Sequence, residues 1–181
     1  MLLRLIFSLA LLAAWPFEVT AGEPAGDRLA VGPFTLVGDE PPAIAIGLGA
    51  FDVVGEQARG TEGARPEARV ELYLGRKLLF LGPEVGLEAD GDGGILGYGG
   101  LWLDLEIGRW ALLPAGSLAG YRRGESKRLG GPLLFQAELT SVYRFENQVG
   151  CGLTFAHVSN GYRERRNAGA ESLLVTLLVP F

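Results

Sequence analysis

The chain holds a single histidine, His157, in the run Phe155-Ala156-His157-Val158-Ser159-Asn160. Ser159 stands two residues beyond it, and Glu171 twelve residues beyond the serine. A serine hydroxyl is a poor nucleophile until a neighbouring base takes its proton, and imidazole is the side chain suited to that near neutral pH. A carboxylate on the far side of the imidazole fixes its tautomer and stabilises the imidazolium that forms. Serine, histidine and glutamate are therefore the parts of an acyl-transfer device, if the fold brings them together. The plainer reading is that polar residues at a strand end mark a membrane-water interface, where they cost little.

What must position them is a strand pattern. From Pro42 onward the sequence divides into eight segments of about ten residues in which bulky apolar side chains recur at every second position. That is the length and period of a membrane-spanning strand. Ile44, Ile46 and Leu48 share one parity, as do Val70, Leu72 and Leu74, and then Val85, Leu87 and Ala89. The fourth segment sets Leu101, Leu103, Leu105 and Ile107 against Trp102, Asp104 and Glu106. In the fifth, Pro114 interrupts a poor alternation, which predicts a bulge or bend. The sixth sets Phe135, Ala137 and Leu139 against Gln136, Glu138 and Thr140. In the seventh, His157 and Ser159 continue the parity of Leu153 and Phe155, and in the eighth Glu171 shares that of Leu173 and Val175. All three candidate residues thus belong to the apolar face, on two strands that a hairpin makes neighbours.

Joint lengths carry a second signal. Short joints at Gly75-Arg76-Lys77, around Gly108 and at Glu146-Asn147 alternate with longer polar ones such as GEQARGTEGARP, EADGDGG, RRGESKRLGG and NGYRERRNAGA. Outer-membrane barrels have short periplasmic turns, longer external loops and an even strand number. A soluble eight-stranded barrel with an apolar core gives the same alternation. Against it, the polar parity carries glycine, alanine and carboxylates suited to a narrow lumen, the other carries Leu, Val, Ile and Phe, and Phe181 resembles the end signal of outer-membrane barrel proteins. The expected fold is all-β, an eight-stranded antiparallel transmembrane β-barrel over residues 42–181.

Residues 1–21 read as a secretory signal peptide: an arginine, an apolar run ended by Pro16, and Val19-Thr20-Ala21 as a small-residue cleavage site. Residues 22–41 are expected to be an N-terminal periplasmic segment, an extra strand or an arm. Export with one unpaired cysteine, Cys151, fits a bacterial envelope protein better than a small disulfide-stapled extracellular domain, and the expected location is the bacterial outer membrane. The net charge of −5 and the scattered lysines and arginines argue against nucleic acid as a partner. The 28 glycines show no Gly-X-Y period and suit strands with tight turns. One histidine makes a histidine-based metal site improbable, and no cofactor is expected.

HVSN, followed by NAGAES and a short terminal strand, resembles the C-terminal signature of the PagL family, the outer-membrane lipid A 3-O-deacylases. The resemblance implies an eight-stranded barrel with a serine-histidine-glutamate triad on its outer wall, which His157, Ser159 and Glu171 match in type and spacing. It further implies that Asn160 and Asn167 match the family's asparagines after the serine and in the following loop, the latter's backbone N–H helping to form the oxyanion hole. The family's second oxyanion glycine follows Ser-Asn-Ala, whereas here Gly161 directly follows Asn160 and precedes Tyr162, one residue early. The implied activity is hydrolysis of the ester-linked 3-hydroxyacyl chain at the 3 position of lipid A, with lipid A and outer-membrane lipid as partners and room for a homodimer. A phospholipid esterase using the same triad, or a non-catalytic barrel, are the alternatives. Arg163, Arg165 and Arg166, between serine and glutamate, would either pair with head-group phosphates or serve as solvated loop charge.

Overall fold

A computed structural model of the chain describes residues 27–54, 64–163 and 168–181. The expected signal peptide lies outside the described residues. A short hairpin comes first, β1 (Arg28–Val31) and β2 (Phe34–Val37). Then follow β3 (Ala43–Phe51), β4 (Arg65–Tyr73), β5 (Gly82–Asp90), β6 (Ile95–Trp102), β7 (Leu105–Ile107), β8 (Trp110–Arg122), β9 (Leu133–Arg144), β10 (Gly150–Ser159) and β11 (Ala170–Pro180). All neighbours are antiparallel, and β11 returns to pair with β3 from Pro180↔Ala43 to Ser172↔Phe51, closing the wall. Because β6 and β7 pair with β8 in one unbroken register (Trp102↔Ala115, Leu105↔Leu112), they are a single barrel strand, which makes eight among the described residues.

The alternation is inside out, as a lipid-facing barrel requires. Ile46, Leu48, Val70, Leu87, Leu153 and Phe155 are exposed on the outer wall. Inside are Arg69, Glu67, Glu71, Glu84, Glu88 and Glu138, all buried. Their charges meet one another: Arg69 donates to Glu88 at 2.7 Å and to Glu138, and the hydroxyls of Tyr73 and Tyr98 donate to Glu71 at 2.7 and 3.0 Å. A ladder of hydroxyls, Thr140 to Thr154 to Thr176 at 2.7 Å each, ties three neighbouring strands together from within. Apolar clusters close both ends of this polar middle. Tyr73, Trp102, Leu113 and Val142 fill the end with short joints, and Phe51, Leu96, Leu129 and Leu134 the other.

Two local expectations are corrected. Pro114 causes no bulge: the pairings on both sides of β8 keep their register through it. Leu103 N–H donates to Pro114 O at 3.0 Å, so the donor that proline lacks is the one Leu103 O would have received, and the only break is the gap between β6 and β7. Residues 78–81 are not part of the third barrel strand. Leu78 and Leu81 pair across a tight turn in which Leu79 and Phe80 both take positive φ, so the short joint there runs on to Leu81 and β5 starts at Gly82. Within the N-terminal stretch, expected as an extra strand or an arm, the chain forms the β1–β2 hairpin, which adds to β7 through Thr35↔Glu106 and Leu36↔Leu105. It takes the edge that β5, beginning only at Gly82, leaves uncovered.

Candidate active site

Register brings the candidate side chains together. β10 rises to the long-joint end and β11 descends from it, with His157↔Glu171 directly opposed. Both residues have the outward parity, and His157 Nδ1 lies 3.1 Å from Glu171 Oε1. The imidazole is 44 % exposed and the carboxylate 21 %, so the pair sits on the wall and not in the lumen. With Nδ1 committed to a carboxylate, the other ring nitrogen is the one available as a base. Glu171 is itself anchored, since its carbonyl accepts from Val53 N–H at 2.9 Å.

Ser159 stands two residues beyond His157 on the same outward face, opposite Phe135 of β9. Successive outward positions on a strand are about 6.5–7 Å apart, within reach of a serine and a histidine turned toward each other. No hydrogen bond joins Ser159 to His157 among the described residues. Such bonds are often long before substrate binds. On the β9 side His157 faces Ala137, a small neighbour in a wall otherwise made of Phe135 and Leu139.

The turn after Ser159 is tight. Asn160 is buried, its Oδ1 accepts from Tyr162 N–H at 3.0 Å, and its carbonyl accepts from Arg163 N–H at 3.2 Å. Gly161 and Tyr162 both have φ near +60°, the two left-handed positions of a primed hairpin turn. A tyrosine thus occupies a conformation that favours glycine, and its N–H is already used. Gly161, whose added Cβ would touch the Phe135 ring at 3.1 Å, is packed against the wall beside the serine. Asn167, Arg165 and Arg166 lie outside the described residues.

One residue escaped the sequence reading. Gly169, at φ +35°, backs onto the imidazole: a Cβ there would lie 3.0 Å from His157 Cε1 and 3.7 Å from Nε2. The only signal for it was a glycine two residues before the glutamate, which in a glycine-rich chain is no signal at all.

The model of the PagL family, described as lipid A 3-O-deacylase, matches residues 94–180. No curated protein matches the chain. The crystal structure of the outer membrane enzyme PagL superposes with a TM-score of 0.62 at 16% identity, covering 77% of this chain and 99% of that one. That of Neisserial surface protein A (NspA) gives a TM-score of 0.46 at 15% identity, covering 84% of this chain and 100% of that one. Residues 94–180 hold every strand from β6 to β11 together with His157, Ser159 and Glu171, and it is over this stretch that the chain is similar to the PagL family.

Proposed function

We propose that the protein is a lipid A 3-O-deacylase of the bacterial outer membrane, working by a serine-histidine-glutamate mechanism. The observation that carries the reading is the 3.1 Å contact between His157 Nδ1 and Glu171 Oε1 on the lipid-facing wall, with Ser159 next on the same face. A site that opens sideways into the bilayer suits a substrate that is itself a membrane lipid. The family match supports the same substrate class.

Ser159 Oγ attacks the carbonyl carbon of the 3-O ester as His157 takes its proton. Glu171 holds the ring and stabilises the imidazolium. The tetrahedral oxyanion is met by backbone N–H groups, with Gly161 and Asn167 as the proposed donors. Tyr162 N–H is excluded from that role while Asn160 Oδ1 holds it. Collapse breaks the bond to the sugar oxygen, which leaves with the proton from His157, and the acyl chain stays on Ser159. Water, activated by the same imidazole, then releases the 3-hydroxy fatty acid and restores the serine. Asn160 serves the turn that sets Gly161 beside the nucleophile.

Mass spectrometry of lipid A from cells with and without the protein tests the reading. Loss of one ester-linked 3-hydroxyacyl chain is expected, and Ser159→Ala should abolish it. Identical spectra for parent and Ser159→Ala would refute catalysis by this serine. Release of unhydroxylated chains from phospholipid alone would make the protein a phospholipid esterase instead.

A further inference from the structure

The loop between β8 and β9, residues 123–132, is cationic, but its cations are not equivalent. Lys127 is used internally: its Nζ meets Asp52 Oδ1 at 2.6 Å, across the mouth of the barrel. The loop is pinned at further points, Ser126 Oγ donating to Asp90 Oδ2 at 2.6 Å and Tyr121 OH to Lys127 O at 3.0 Å. Leu129 is buried in the apolar cluster at that end. The segment is therefore held in one shape by groups from the strands around it.

On that scaffold sits a cavity of about 480 Å³, lined by Tyr121, Arg123, Arg128, Leu129, Gly130 and Gly131, with Pro132. Arg123 and Arg128 are exposed, and neither forms an ion pair among the described residues, although the chain has 21 carboxylates to 16 lysines and arginines. Glu125, in the same loop, is exposed and pairs with neither arginine, and Asp52, Asp90 and Asp92 on the loops around it are already engaged by Lys127, Ser126 and Arg65. Gly130, at φ +92°, presents backbone without side chain to the same space. Two arginines converging on a rigid concavity match a phosphate, whose oxygens accept the paired N–H groups of a guanidinium.

Its place relative to the active site gives the cavity its ligand. Pro132 lies three residues above Phe135, and Phe135 pairs with Ser159. The backbone of Pro132, at the cavity's edge, is thus offset from that of Ser159 by about 10 Å along the strand and one strand spacing, about 4.8 Å, sideways. Both features stand at the end of the barrel with the long joints, at the level where a lipid's acyl esters give way to its head group. We propose that Arg123 and Arg128 form a phosphate subsite that holds a phosphomonoester of the glycolipid head group while its 3-O ester lies against Ser159. This rests on the deacylase reading above and adds to it the element that recognises the phosphorylated sugar.

The test uses the full chain in detergent micelles, with bisphosphorylated lipid A and the same lipid after phosphatase treatment as substrates. For the phosphorylated lipid, Arg123→Gln/Arg128→Gln should raise KM about tenfold with kcat within twofold. Its KM for the dephosphorylated lipid should not change, and Arg123→Lys/Arg128→Lys should recover part of the loss. Equal KM values for the two lipids with the parent protein would overturn the subsite. So would inorganic phosphate alone competing at the lipid's own concentration, since the cavity would then be a free-phosphate site. If the parent hydrolyses neither lipid, the deacylase reading fails on its own. Native mass spectrometry of bound lipid then still decides the subsite: a preference for the phosphorylated form that the Gln variant loses supports it, and equal retention overturns it.

Discussion

At the scale of single residues, Gly169 constrains the imidazole directly. A methyl group there would sit within 3.0 Å of the imidazole and in a backbone conformation that L residues avoid, so His157 has to turn. Gly169→Ala is expected to lower kcat by roughly 10- to 100-fold, as small misplacements of reacting groups do, while leaving the barrel folded. Retention of the heat-modifiable gel shift of a folded barrel, alongside the lost turnover, is the result that separates this from unfolding. Glu171→Gln keeps the shape of the contact and removes its charge, and a fall in kcat of roughly 100-fold is expected, smaller than the loss on Ser159→Ala. Equal losses in the two variants would make Glu171 a structural part of the hairpin. The types and spacing of His157, Ser159 and Glu171 were legible because strand parity has a period of two and a hairpin makes its arms neighbours. Gly169 was not, because what matters there is an approach from a loop, and parity carries no information about loops.

At the scale of elements, the N-terminal hairpin depends on a crowded set of charges at its root. Glu40 lies among Lys77, Arg144 and Asp104. Burial, with the Asp104 carboxylate adding to it, pushes the Glu40 carboxyl up to about 7 in spite of the two cations. Undocked, the same group releases its proton near the ordinary value of 4.5. Between those pH values the docked arm binds more protons than the free arm, so docking weakens as pH rises from about 4.5 to about 7. Hydrogen exchange at Thr35, Leu36 and Val37, corrected for intrinsic rates, should accelerate from pH 5 to pH 8, and Glu40→Gln should flatten the dependence. An unchanged slope in that variant would assign the effect to another group. Pro114 offers a second test: Pro114→Ala supplies the N–H that Leu103 O lacks. Net of the freedom it returns to the unfolded chain, it should stabilise the barrel by about 1 kcal/mol in a urea titration in lipid. The β1–β2 hairpin was unreadable in advance because its partner is the short β7, and the split between β6 and β7 reflects one missing donor that hydropathy cannot register.

For the whole molecule, the lumen is the stabilising problem. Arg69 is buried among Glu67, Glu88 and Glu138, and removing it leaves those carboxylates without their cation. Arg69→Met is expected to destabilise the barrel by about 3–5 kcal/mol, read as a lowered urea midpoint, because a broken buried pair strands its partner. Which residues line that lumen was plain from alternation, even across β3–β5, which lie outside the family match. How they pair was not, since pairing depends on which strands face one another across the barrel. The filled interior leaves the outer wall as the working surface, and this changes what would limit catalysis there. On the proposed deacylase reading, substrate arrives by lateral diffusion within one leaflet, so turnover should follow the mole fraction of lipid A in the membrane and not its bulk concentration. Diluting the substrate with inert lipid at constant total amount should slow the enzyme, whereas adding more of the same mixture should not speed it once every barrel is embedded.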